Sequence, residues 1–240
     1  MAKGTVEGHY NMQNRIKLII FDWDDVITLG SKEGYFACYH EALGNRLGKK
    51  ISWENAKDDI LATWGATARD AISAILKKYP KDIKQVLDSY QKCILGKTFS
   101  DHLSVVPGIQ ETLRKLSRKY ILCVTTGMHP ETLHKYVMPK FKIPDVFSDI
   151  ISGYEIKDPA LRKPNPYTAN LFMKKHDVLP QEAVMVGDAK NDIKMAWAAG
   201  ITPIAVLTGH LTAKDAEELG LKYVILNVTH LPGVLEKMGN

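Results

Sequence analysis

Three carboxylates crowd four positions where an apolar run stops: Leu18-Ile19-Ile20-Phe21 is followed by Asp22-Trp23-Asp24-Asp25. Gathering negative charge in one place is costly unless a cation or a proton-transfer role offsets it. Asp22 can act as a carboxylate nucleophile on a phosphoryl group, forming an aspartyl-phosphate and dividing one hard displacement into two easier ones. Asp24 can protonate the leaving oxygen and later activate water, provided its surroundings keep it protonatable. Three other stretches carry matching groups. Thr125 offers a hydroxyl, and Thr126-Gly127 offers backbone N–H groups, to phosphoryl oxygens. Lys163, in Arg162-Lys163-Pro164-Asn165-Pro166, brings positive charge on a loop stiffened by prolines. Asp188 and Asp192, in Gly187-Asp188-Ala189-Lys190-Asn191-Asp192, complete an all-oxygen site of the kind Mg2+ prefers. Hydrolysis of phosphate monoesters needs accelerations of up to about 10²¹. Charge neutralisation and positioning must supply most of that.

These groups lie far apart in the chain, so a fold must bring them together. Strands buried on both faces read as continuous apolar runs, and in an open parallel sheet the carboxyl strand ends share one edge where ligands bind. The sequence predicts strands at Lys17 to Asp22, Tyr120 to Val124, Ile150-Ile151, Ala183 to Val186, Pro203 to Leu207 and Tyr223 to Leu226. Helices at Ile109 to Arg118, Glu131 to Val137, Tyr167 to His176 and Ile193 to Ala199 alternate with them. That alternation implies an α/β fold, a Rossmann-like parallel sheet flanked by helices.

Between the first two strands the periodicity changes. Tyr35, Phe36, Tyr39, Leu43 and Leu47 share a helical spacing, Ser52 can cap a second helix, and Thr67 with Asp70 forms a capping-box pattern before a third. Ile83 to Ile94 marks a fourth. Residues 31–104 therefore read as a separate helical domain without strands, inserted into a core of residues 14–30 and 105–240. Residues 1–13 read as a loose leader.

A chain of 240 residues, 45% hydrophobic and 25% charged, suits a core domain carrying a smaller one. The formal net charge of +5 is scattered, which fits anionic substrates and argues against a nucleic-acid stripe. No apolar run approaches a membrane span, and the polar N-terminus lacks the apolar centre of a signal peptide. Cys38, Cys93 and Cys123 have neither metal-ligand nor redox spacing. Taken as an unpaired set they fit a reducing cytosol, with Cys123 a small core residue. The expectation is a cytoplasmic protein with no nucleic-acid partner and no membrane.

The four stretches, in this order and over nearly the whole chain, resemble the four motifs of the haloacid dehalogenase superfamily. Each motif alone is weak, but four in order at strand ends make a specific signal. The resemblance implies Asp22 as nucleophile, Asp24 as acid/base, Thr125 and Lys163 as the second- and third-motif groups, and Asp188 and Asp192 as the acidic fourth motif. It implies Mg2+ held by Asp22, by the backbone carbonyl of Asp24 and by the fourth-motif acids, some through water. Residues 31–104 then correspond to the helical C1 cap that closes over the site and selects substrate. Asp25 departs from the pattern, standing where the family has glycine, although Asp tolerates a positive φ better than most residues. The loop Lys157 to Arg162 is also longer and bulkier than usual.

The implied function is a Mg2+-dependent phosphatase for a small phosphorylated metabolite, like phosphoglycolate phosphatase, working as a monomer or homodimer. Alternatives on the same motifs are a β-phosphoglucomutase-type phosphomutase and a catalytically silent binding module. C1-cap members place a specificity loop at a helix junction, which makes Trp64, Gly65 and Arg69 candidate substrate contacts beside Thr126 and Gly127. Tyr35 and Tyr39 read as cap core, the Thr126 side chain as a helix cap, and His40 and His129 as incidental.

Overall fold

The structure, a computed structural model, describes residues 16–47, 52–62, 68–78 and 80–238. The expected leader, residues 1–13, and Trp64, Gly65 and Thr67 lie outside the described residues. Six parallel strands form one sheet. β1 (Leu18–Phe21) lies inside it between β4 (Ile121–Thr126) and β6 (Ala183–Gly187). β5 (Asp149–Ser152) flanks β4, while β7 (Thr202–Val206) and β8 (Val224–Ile225) extend the other side. Every residue of β1 is fully buried, as its unbroken apolar run requires. Its side chains alternate between two packed layers: Ile19 and Phe21 join the larger cluster, Leu18 and Ile20 the cluster under the helices Tyr167–His176 and Lys190–Ala199. In register, Phe21 pairs with both Val124 and Val186, so the carboxyl ends of the three strands lie within two residues of one level. Asp22, Thr125 and Gly187 are the next residues along.

The chain leaves the core and returns to it through a two-stranded antiparallel ribbon, β2 (Thr28–Leu29) against β3 (Ser104–Val105). Between them come α1 (Ser31–Leu47), α2 (Trp53–Ala62), α3 (Ala68–Ile75), α4 (Ile83–Ile94) and α5 (Lys97–Asp101). Ser52 accepts from the Asn55 N–H at 3.3 Å and so opens α2 as its sequence position suggests. The ribbon and α5 were not expected. Strands of two residues and a helix of five are too short to leave a period in the sequence.

One expectation fails outright. Cys38 and Cys93 are not unpaired: they form a disulfide across α1 and α4. Fifty-five residues separate them, yet the packing of these two helices brings their Cα atoms to 5.4 Å, within disulfide range. Sequence spacing carries no information about such a contact, and the argument from unpaired thiols to a reducing compartment goes with it. Cys123 is free and buried on β4. Burial pushes its thiol up to about 12, and it rests 3.7 Å from His176 Nε2, which contacts Asp149 Oδ2 at 2.7 Å. Among the described residues no helix is long and apolar enough to cross a membrane.

Candidate active site

The carboxylates of Asp22, Asp188 and Asp192 converge at the carboxyl edge of the sheet, with one oxygen from each lying within 4.8 Å of the others. All three are buried. Lys163 reaches the same point from the loop after β5, its ammonium 2.8 Å from Asp22 Oδ1 and 2.8 Å from Asp192 Oδ1. The bulky loop before it is tied down. Asp158 accepts from the Ala160 N–H at 2.9 Å, and the Arg162 guanidinium donates twice to the Ile156 carbonyl, at 3.0 and 3.3 Å.

Two glycines make room for the acids. A Cβ on Gly187 would stand 2.3 Å from the Cβ of Asp192, and one on Gly209 would stand 1.8 Å from Asp188 Oδ2. That closeness lets the backbone itself hold the carboxylates. His210 N–H donates to Asp188 Oδ2 at 2.9 Å, Leu211 N–H to the Asp188 carbonyl at 2.7 Å, and Ala189 N–H to Asp192 Oδ2 at 3.1 Å. Asp192 also lies in the first turn of the helix Lys190–Ala199, where a helix favours an acid. Gly209 to Leu211 escaped the sequence argument. The available signal was Leu207-Thr208-Gly209, a strand followed by Thr-Gly, which is the pattern that singled out Thr126-Gly127.

The electrostatics of this cluster are lopsided. Burial raises the carboxyl of Asp188, and the charges of Asp22 and Asp192 raise it further. Burial also raises Asp192, against the pull of Lys163. Burial acts to discharge Lys163 itself, but Asp192 and Asp22 outweigh it and hold the ammonium above its ordinary value. Three buried acids thus stand against one ammonium, which contacts Asp22 and Asp192. An all-oxygen donor set short of positive charge fits Mg2+.

Asp24 faces the helical domain. The Tyr35 hydroxyl of α1 donates to Asp24 Oδ2 at 3.2 Å, while Oδ1 is buried with no hydrogen-bond partner among the described residues. Burial raises the carboxyl of Asp24 well above the usual carboxylate range, and the neighbouring charges of Asp22 and Asp25 add to it. The reading of Tyr35 as cap core holds for its ring, which packs on Phe99 with centroids 4.7 Å apart, while its hydroxyl reaches Asp24. Helical spacing shows which residues share a face and says nothing about what a hydroxyl at the end of one meets.

Asp25 adopts the positive φ that a glycine would have supplied, +54°. Its side chain has local work. Oδ1 accepts from Gly30 N–H at 3.0 Å and Oδ2 from the Ser31 hydroxyl at 2.5 Å, which fixes the start of α1. The third charge of the cluster is thus spent on the turn that leads out of the core.

One cavity of about 1020 Å³ is lined by Asp22, Asp24, Thr125, Lys163, Asp188 and Asp192, and also by Thr126, Gly127 and Arg69. Thr126 Oγ1 accepts from the Met128 N–H at 3.0 Å, so its side chain shapes the turn. Gly127 is exposed and a Cβ there would meet nothing, leaving that approach open. His40 packs edge-on against Trp53. Tyr39 is buried in the core as expected, and both it and His129 also border the cavity.

A family model described as haloacid dehalogenase-like hydrolase matches residues 19–206. The phosphoglycolate phosphatase of Vibrio vulnificus is 33% identical over 104 residues, 43% of this chain and 44% of that protein. In such matches the chain spans less than half the length of the curated relative. The phosphoglycolate phosphatase of Haemophilus influenzae is 26% identical over 210 residues, covering 83% of this chain and 89% of that one. Among solved structures, a predicted phosphoglycolate phosphatase from Haemophilus somnus superposes with a TM-score of 0.74 at 20% identity, covering 91% and 97% of the two chains. The α/β fold is thus shared with such proteins.

Proposed function

We propose, for a chain that belongs to the haloacid dehalogenase-like hydrolase family, Mg2+-dependent hydrolysis of a small phosphomonoester through an aspartyl-phosphate on Asp22. The observation that carries this is the bridge by which Lys163 joins Asp22 to Asp192, with a protonatable Asp24 beside them. Asp22, Asp188 and Asp192, with the Asp24 carbonyl, would hold Mg2+. When bound, Mg2+ neutralises charge on the transferring phosphoryl group and on these acids.

The remaining chemistry belongs to the chain. Thr125 and the N–H groups at Gly127 bind phosphoryl oxygens, and Lys163 adds positive charge beside them. A carboxylate oxygen of Asp22 attacks phosphorus as the bond to the ester oxygen breaks. Asp24 gives that oxygen its proton. Because Tyr35 donates to Oδ2, the proton sits on Oδ1, the oxygen with no hydrogen-bond partner among the described residues. In the second half Asp24, now ionised, takes a proton from water, whose oxygen attacks phosphorus and frees Asp22. Residues 31–104 act as the cap over residues 14–30 and 105–240, and Arg69 lies on its inner side. We place the enzyme in the cytoplasm, where phosphorylated metabolites are made, without support from the cysteines.

The test is phosphate release from an aryl phosphate with and without Mg2+. Release should need Mg2+ and fall by about 10³-fold or more in Asp22→Asn. Activity that survives Asp22→Asn removes the mechanism. Interconversion of sugar phosphates without phosphate release marks a phosphomutase instead.

A further inference from the structure

If Asp24 protonates the ester oxygen, the leaving group must lie against whatever faces Asp24, and that wall is aromatic. Tyr35 touches Asp24 directly. Tyr39 and Tyr90 stand behind it with ring centroids 4.4 Å apart, and both line the cavity. From the core side Tyr154 completes the group. It lines the same cavity as Asp24 and Arg162.

Tyr154 is the unusual member, because more than half of its surface is exposed, at 55%. Yet its backbone is firmly held. It lies in the short turn Gly153–Glu155, where Ser152 Oγ accepts from the Tyr154 N–H at 3.2 Å and donates to the Met128 carbonyl at 2.7 Å. Glu155 closes the turn by accepting from the Ser152 N–H at 2.8 Å. The edge of the ring is braced by His129, 4.8 Å away and tilted 62°. A large apolar ring held in place yet left open to the cavity gains nothing for the fold. It is a prepared surface.

Size and charge agree. A cavity of about 1020 Å³ is at the upper end of those that enclose drug-sized ligands, far beyond a two-carbon acid ester. A carboxylate-bearing leaving group would call for a buried, committed cation at the far end. Among the described cavity-lining residues, the cations beyond Lys163 and Lys190 are not buried: Arg69 and Lys84 are exposed, and Arg162 is half-buried with two of its five N–H donors on the Ile156 carbonyl. On α4 the cavity face, Lys84, Leu87, Asp88 and Gln91 at helical spacing, offers donors and acceptors around an apolar centre.

We propose that the natural substrate is a phosphomonoester whose leaving group carries a flat aromatic or heteroaromatic ring close to the ester oxygen, stacked on Tyr154 against the tyrosines of the cap. The proposal rests on the phosphatase function proposed above, and the experiment separates the two. Benzyl phosphate and nucleoside 5′-monophosphates are compared with phosphoglycolate and glycerol phosphate, all esters of alkyl oxygens, so that leaving-group acidity does not decide the outcome. At least one ring-bearing ester should show kcat/KM on the order of tenfold or more above phosphoglycolate. In Tyr154→Ala that preference should shrink toward unity through a raised KM, while Tyr154→Phe keeps it. Phosphoglycolate or glycerol phosphate turned over as well as every ring-bearing ester overturns the proposal and leaves the phosphatase standing. So does an equal loss on both classes in Tyr154→Ala. Phosphate release from none of the esters overturns the phosphatase, and the proposal falls with it.

Discussion

At the sheet edge, Asp188 and Asp192 are held by backbone N–H groups, and Asp22 and Asp192 share the Lys163 ammonium. Across the cavity, Tyr35, Tyr39 and Tyr90 of the helical domain are held mainly by packing, on α1 and α4 joined by Cys38–Cys93. The first wall concentrates charge on carboxylates packed closely against Gly187 and Gly209. The second spreads apolar rings over a larger space. Chemistry that is common to many phosphomonoesters needs the former, and selection among leaving groups can be left to the latter. If that division holds, damage to the sheet edge should lower turnover for every ester, and damage to the tyrosine wall should be smaller and depend on the leaving group.

The largest effect should come from removing the divalent ion. With a chelator, turnover should stop, and stability should acquire a pH slope. Burial raises Asp188, Asp192 and Asp24 in the folded chain, so above about pH 4 the folded state holds more protons than the unfolded one. The contribution of these three acids to the stability of the metal-free protein should therefore fall as pH rises from about 4 toward neutrality. Lys163 does not offset this. Its raised value keeps its contribution intact until the pH passes well beyond the ordinary lysine range. Melting temperatures across this range, with chelator and then with millimolar Mg2+, should show the slope and its flattening. A metal-free protein whose Tm is level or rises with pH would mean that the acids are not short of positive charge.

Lys163→Met comes next. It leaves Asp22 and Asp192 without their shared ammonium, and turnover should drop by about 10²–10³-fold on ring-bearing and short esters alike. A loss confined to one ester class would break the division between the walls. Gly209→Ala should cost about 10²-fold, again for every ester. Its Cβ would occupy the place of Asp188 Oδ2 and force the carboxylate off the His210 N–H. Steady-state rates in the folded variant, with the Mg2+ dependence of activity, read this directly: the variant should need more Mg2+ for half-maximal rate. Full activity would show that the loop after β7 yields where Asp188 does not.

The two walls were also unequally legible. Strand ends announce themselves, because a buried strand is a continuous apolar run and the acid or hydroxyl that ends it is conspicuous. Hence Asp22, Thr125, Lys163, Asp188 and Asp192 were placed by sequence and are found lining one cavity. The cap wall has no such signature. Tyr35 and Tyr39 have the spacing of core residues and are packed as such, and only their third-dimensional neighbours reveal the cavity on their far side. The Cys38–Cys93 contact and the close approach of Gly209 to Asp188 are hidden for the same reason, since each joins elements far apart in the chain. Asp25 stands between these cases. Its positive φ was foreseeable from the glycine it replaces, but its role in holding Ser31 was not.

The smallest effect expected tests the Tyr35–Asp24 bond, which crosses between the walls. Tyr35→Phe keeps the ring against Phe99 and removes only the hydroxyl on Asp24 Oδ2. Asp24 should stay protonatable, because burial is the main cause of its raised carboxyl and the hydroxyl acts weakly in the opposite sense. What the variant loses is the preference for carrying the proton on Oδ1. With both oxygens equally able to hold it, part of the population is misdirected, and kcat should fall only a few-fold, on the order of one weak hydrogen bond. KM should change little for short esters that do not reach the tyrosines. A loss of about 10²-fold would mean that Tyr35 moves a proton itself, and an unchanged kcat would mean that Asp24 is oriented from the core alone.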